Sequence, residues 1–191
     1  MNRAALPLVA LLSAAPSLTG CATTSTERFK LAPLETVAKV DLNRYLGTWY
    51  EIASFPQSFQ AGCTATTANY ALRPDGEIDV VDRCRKDRLD GPEKESSGRA
   101  RVVDHDTNAK LEVSFFRPFW GDYWIIDLAD DYSYAVVGHP SRDYLWILSR
   151  TPAMDESTYQ TILKRLMAMN YETSRLERTL QPSSPAQAGR R

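Results

Sequence analysis

From residue 49 to residue 149 the chain is cut into eight short apolar or alternating runs, with turn chemistry between most of them. The runs cover about 49–54, 64–72, 77–82, 97–103, 110–116, 123–128, 134–138 and 144–149. Between them stand Arg73-Pro74-Asp75-Gly76, Asp90-Gly91-Pro92, Asp106-Thr107-Asn108, Trp120-Gly121-Asp122 and His139-Pro140-Ser141, whose residue types set the dihedrals of tight turns. Strands joined so tightly pair antiparallel with their neighbours, and a row of eight either leaves two adhesive edges or closes on itself. Closure predicts an all-β, eight-stranded antiparallel up-and-down barrel, wide enough to be filled by side chains or to hold one small ligand.

One helix is expected after the last run. Thr151-Pro152 announces it, and Asp155 and Glu156 place acidic groups at the positive end of its dipole. Tyr159, Ile162, Leu163 and Leu166 then recur at i, i+3, i+4 and i+7, a stripe expected to pack outside the sheet. The opposite face, with Lys164 and Arg165, is too mildly basic to suggest a membrane-binding helix.

The N-terminus reads as a leader. Arg3 precedes an apolar run over residues 4–15, too short to span a bilayer, and Leu18-Thr19-Gly20-Cys21 follows. That tetrapeptide resembles the lipobox of bacterial lipoproteins, in which the chain is cut before the cysteine and the cysteine is lipidated. Removing residues 1–20 leaves 171, a usual size for one domain. The resemblance implies three acyl chains on Cys21, against a single chain's marginal hold. Ala22, rather than Asp, implies the outer membrane by the sorting rule of enteric bacteria. Residues 22–26 are small and polar, and residues 182–191 lack apolar periodicity. The expected division is a lipoprotein signal peptide over 1–20, a lipidated N-terminus and tether over 21–39, the barrel domain over 40–180 and a disordered tail over 181–191.

With 23 basic and 24 acidic residues and no basic block, nothing recommends nucleic acid or a polybasic membrane surface as partner. Three cysteines are an odd number for a secreted chain. Lipid on Cys21 leaves Cys63 and Cys84, which flank two runs joined by the Arg73–Gly76 turn and so meet if those runs form a hairpin. A disulfide there stabilises by about 3 kcal/mol in the chain-entropy account. Zinc has little to recommend it, since His105 and His139 lack the close spacing its sites use. No metal or other cofactor is expected.

Two motifs carry a further resemblance. Leu42-Asn43-Arg44-Tyr45-Leu46 followed by Gly47-Thr48-Trp49-Tyr50-Glu51-Ile52-Ala53 resembles the opening Gly-x-Trp signature of lipocalins, and Asp143-Tyr144-Leu145-Trp146-Ile147-Leu148-Ser149-Arg150 is similar to the last barrel strand and terminal Arg of their bacterial and apolipoprotein D-like branch. Residues 68–76 and 111–119 match that branch too, and the similarity runs from about Val40 to Tyr171. Lipocalins are themselves a standard instance of the eight-stranded, one-ligand barrel, so that interior size is carried over from the family rather than derived. The resemblance implies that Trp49 plugs the closed end with Arg150 across its ring, a contact worth about 0.5–2 kcal/mol. Gly47 is expected at the bend into the first strand. All three are read as structural.

Ligand contacts are expected from inward strand positions. Leu111, Val113 and Phe115 share one apolar face, opposite Lys110, Glu112 and Ser114; Trp124, Ile126 and Leu128 share another, opposite Asp127. Both apolar faces are expected to point inward. Phe115, Phe116, Phe119, Trp120, Tyr123 and Trp124 straddle a turn and read either as a rim that admits an acyl chain or as a capped core.

Three functions follow. The first is a non-catalytic carrier of a fatty acid, lysophospholipid or similar lipid, implied by the resemblance and driven by apolar burial of about 0.8 kcal/mol per methylene. It would be anchored in the outer membrane and face the periplasm. The second is an enzyme, for which the sequence offers no activated thiol or paired base; Asp104-His105-Asp106 and Asp130-Asp131 read as solvated turns, so no catalytic residue is assigned. The third is an envelope-structural protein with a filled barrel, which an apolar interior alone does not distinguish from a carrier. A homodimer through surface aromatics stays open.

Overall fold

The computed structural model describes residues 31–183, so the leader, Cys21 and the last eight residues lie outside the described part. The strands are β1 (Gly47–Ser54), β2 (Cys63–Leu72), β3 (Ile78–Lys86), β4 (Glu93–Val102), β5 (Lys110–Phe116), β6 (Phe119–Leu128), β7 (Tyr134–Gly138), β8 (Leu145–Ser149) and a two-residue β9 (Glu177–Arg178). A one-turn helix α1 (Leu42–Tyr45) precedes β1, and α2 (Glu156–Ala168) follows β8.

Each strand pairs antiparallel with the next from β1 to β8, and β1 also pairs with β8, so the sheet closes as an eight-stranded barrel. Three strands run well beyond the apolar patterning. β3 and β4 run on through the pairs Arg83–Glu95, Cys84–Lys94 and Arg85–Glu93. Cross-strand ion pairs hold this stretch, with Arg83 Nη2 to Glu95 Oε2 at 2.8 Å and Arg85 Nη2 to Glu93 Oε2 at 2.9 Å, so polar residues there read as loop although they pair as strand. β6 likewise begins at Phe119. Trp120-Gly121-Asp122 is therefore strand rather than turn, with Gly121 opposite Val113 and the reversal at Arg117-Pro118.

α2 forms where the stripe placed it. Asp155 caps it by accepting hydrogen bonds from the backbone N–H groups of Ser157 and Thr158. Tyr159, Ile162 and Leu166 are buried against the outside of the sheet with Ile52, Phe55, Ile126, Val136, Leu145 and Ile147. A second apolar cluster fills the closed end, built on Val40, Tyr45, Trp49, Ile78, Ala100, Leu111 and Ile125.

The chain outside the barrel is more ordered than its composition suggested. Residues 31–39, expected within the tether, lie along the barrel wall: Leu34 is buried, Arg142 donates to the carbonyl of Ala32, and Val37 N–H donates to the carbonyl of Ile125. At the other end Gln181, expected in the tail, donates to the carbonyls of Glu51 and Thr66, both at 2.8 Å. Beside it Thr179 N–H donates to Ile52 and Ala65 N–H to Leu180. β1 and β2 share only four residue pairs before bulges part them, and this C-terminal strap closes the gap.

Candidate functional site

The closed end is sealed by the signature residues. Trp49 is fully buried, its Nε1 donates to the carbonyl of Tyr45 at 2.8 Å, and the Arg150 guanidinium lies 3.7 Å from the centre of its ring. Arg150 also donates to the carbonyls of Thr48 at 3.0 Å and Tyr45 at 3.1 Å, tying α1 to β1. Gly47 has φ of +90°, a conformation that disfavours any side chain; an added Cβ would meet Arg150 only at ordinary contact distance, so backbone geometry rather than crowding calls for glycine.

Above this floor the barrel holds a cavity of about 580 Å³, open at the end where β2, β4, β6 and β8 begin. The volume falls within the range of small-molecule sites. Opposing side chains leave that space between the walls. The floor is a trio of tyrosines: Tyr123 hydroxyl lies 2.8 Å from that of Tyr45 and 2.9 Å from that of Tyr70. Burial pushes all three phenols well above their ordinary range, which keeps them neutral hydrogen-bonding groups.

The two walls differ. Val113, Phe115, Tyr123, Trp146 and Leu148 make the β5–β8 side mostly apolar, whereas Glu51, Thr66, Asp82 and Ser96 bring polar groups to the β1–β4 side. Glu51 is buried and satisfied by neutral donors: Gln60 Nε2 at 2.8 Å, Ser54 Oγ at 3.0 Å and the Thr179 hydroxyl of the C-terminal strap. Gln60 in turn accepts from Trp146 Nε1 at 2.9 Å. Asp82 has no such support. Its Oδ1 is shut from solvent without a hydrogen-bond partner, and burial followed by the charge of Glu51 pushes its pKa up to about 7.

Of the expected contact residues, Val113 and Phe115 line the cavity and Leu111 lies beneath it by the tyrosines. The inward assignment of Trp124 and Ile126 is corrected. Both belong to the outer cluster under α2, where Lys110 covers the Trp124 ring at 4.4 Å. A bulge between Ile125 and Asp127 explains the error, because the extra residue breaks the two-residue alternation: Asp127 faces outward to Arg165 of α2 at 3.0 Å, while Leu128 returns to the closed-end core. The inward residues of β6 are instead Gly121, Tyr123 and Ile125. Strand patterning also passed over Asp82, although a signal was present: Ile78, Val80, Asp82 and Cys84 alternate on one face, and a carboxylate there is out of place.

At the rim Cys63 and Cys84 are joined by a disulfide, with Cα atoms 5.4 Å apart, so neither is a free thiol. Phe116 and Phe119 stack at 6.2 Å and are 75% and 71% exposed, forming with Phe59 an apolar collar rather than a capped core. Cys21 lies outside the described residues.

Comparison with known proteins agrees with this geometry. A family model described as a lipocalin-like domain matches residues 40–181. The outer membrane lipoprotein Blc of Escherichia coli K12 is 40% identical over 180 residues, covering 94% of this chain and 98% of that protein. Bovine apolipoprotein D is 32% identical over 193 residues, with 94% and 98% covered. Among solved structures, insecticyanin from the tobacco hornworm Manduca sexta superposes with a TM-score of 0.63 at 19% identity, covering 82% of this chain and 88% of that one. A closed barrel plugged by Trp49 under Arg150 and a family match spanning the whole barrel lead to one assignment: the chain belongs to the lipocalin family.

Proposed function

We propose that this lipocalin binds and stores or transports a single-chain lipid, a fatty acid, lysophospholipid or similar molecule, without catalysis, from an outer-membrane anchor facing the periplasm. The observation that carries the reading is the cavity of about 580 Å³ with one largely apolar wall. Burial of an acyl chain there supplies the driving force, reduced by the cost of ordering it.

Relatives that match nearly the full chain are named outer membrane lipoproteins, and the leader ending in Leu18-Thr19-Gly20-Cys21 agrees with that location. The protein is lipid-anchored at the outer membrane. Its described part begins at the open end: Ala32 is held by Arg142, in the loop between β7 and β8 that also brings His139 and Tyr144 to the cavity mouth. Cys21 precedes Leu31 by ten residues, and the exposed Phe59, Phe116 and Phe119 stand at the same end. A lipid anchor ten residues before a chain that joins the barrel at its open end favours exchange of lipid between bilayer and barrel.

Titration of a lysophospholipid below its micelle concentration tests the proposal. Val113→Glu, a charge in the apolar wall, is expected to weaken binding by about tenfold or more. Equal affinity in a folded variant would place the lipid outside the barrel and contradict the reading.

A further inference from the structure

The polar wall asks for something an acyl chain does not provide. Asp82 comes from the middle of β3, opposite Ala68 on β2 and Ser96 on β4, and lies one inward position nearer the mouth than Val80, which is opposite Tyr70. Its Oδ1 is enclosed and meets no hydrogen-bond donor among the described residues. Thr66, on the neighbouring strand, likewise has an enclosed Oγ1 without a partner. Buried polar atoms left this way are uncommon and costly, and each calls for an explanation. Ser114 Oγ, Trp124 Nε1 and Gln181 Oε1 share the condition, but their residues do not line the cavity; those of Asp82 and Thr66 do.

Neither carboxylate of this wall has a cation as partner. Among the described residues no Lys, Arg or His side chain lies within ion-pair distance of Asp82 or Glu51, although both carboxylates line one cavity. The basic groups of the lining stand nearer the mouth: Arg83 pairs with Glu95, His139 lies at the rim 3.6 Å from Asp122, and Lys94, opposite Cys84, donates its Nζ to the carbonyl of Phe59. A carboxylate head drawn to the depth of Asp82 would meet two acidic side chains and leave the cations behind it toward the mouth. An ammonium or hydroxyl would instead donate to the Asp82 carboxylate, whose Oδ2 is not enclosed.

We propose that Asp82 forms a donor-selecting subsite within the barrel, so that the cavity prefers amphiphiles bearing an amine or hydroxyl over free fatty acids of equal chain length. The inference rests on the carrier reading and narrows its ligand class. The polar group seats against β2 and β3, and the chain extends along Val113, Phe115 and Trp146 toward the aromatic collar. A charge-assisted hydrogen bond away from bulk water is stronger than a neutral one, and a site built to receive a donor discriminates strongly against molecules that lack it.

The test is calorimetric titration, at pH 8 and below micelle concentrations, of dodecylamine, dodecanol and dodecanoate into the chain carrying Cys21→Ser, which removes competing acyl chains. Dodecylamine is expected to bind about tenfold or more tighter than dodecanoate, with dodecanol between them. Asp82→Asn should bring amine and carboxylate within about threefold and weaken dodecanol less than dodecylamine, with near-UV circular dichroism unchanged, which shows that the cavity walls are intact. Asp122→Asn, at the rim, should leave the order as in the parent. Equal binding of amine and carboxylate by the parent overturns the subsite while the carrier reading stands. A preference that survives Asp82→Asn, or falls equally with Asp122→Asn, overturns it too. Failure of all three compounds to bind removes the carrier reading and the subsite together.

Discussion

Arg150 concentrates several interactions in one side chain: its guanidinium covers the Trp49 ring and its donors reach the carbonyls of Thr48 and Tyr45. Arg150→Ala is expected to cost about 2–3 kcal/mol, read from urea unfolding, as the cation–π contact and carbonyl partners go together. Arg150→Lys should recover less than half, because an ammonium cannot bond the carbonyls as a planar fork does. Asp82 acts with the opposite sign. Its folded pKa of about 7 stands above the unfolded value, so the protonated form favours folding at low pH and the carboxylate opposes it increasingly as pH rises toward 7. Asp82→Asn is therefore expected to stabilise the apoprotein, by on the order of 2 kcal/mol at pH 8 and clearly less at pH 5. A gain independent of pH, measured by thermal unfolding at both values, would contradict this account of the buried acid.

The elements differ in how far the sequence disclosed them. β5 and β7 match their apolar runs from end to end, and α2 follows its four-residue stripe with Asp155 as cap. The open-end halves of β3 and β4 were hidden because their pairing rests on Arg–Glu contacts across strands, which local hydrophobicity does not register. The bulge in β6 was hidden for a different reason. One extra residue reverses the inward face, so two correct residue classes, Trp124 and Ile126, were assigned to the wrong side. The C-terminal strap left no periodic signal either, since Thr179 and Gln181 act through individual hydrogen bonds to bulged strands rather than through an apolar face. At this scale the disulfide bears the clearest prediction. Cys63→Ser with Cys84→Ser should lower stability by about 3 kcal/mol, measured in urea, while α2 and the closed end keep their hydrogen-exchange protection relative to β2 and β3 at the rim.

In the whole molecule, the two ends of the barrel carry different tasks. The closed end spends Trp49, Arg150 and the tyrosine trio on rigidity, and the open end places a cavity, an apolar collar and the start of the described chain together. The turn spacing, the cysteine count and the two signature motifs were enough to read the barrel, its disulfide pair and its plug. The cavity itself was not legible, because alternating apolar strands look alike whether opposing side chains meet or stand apart, and only the assembled walls separate an empty interior from a filled one. The central claim is that this interior holds a lipid. Native mass spectrometry with lipid extraction, on protein released gently from its host membrane, tests it most directly. The account predicts a single-chain lipid at close to one per barrel, lost in Val113→Glu; a folded protein that carries none and takes up none when offered would contradict it.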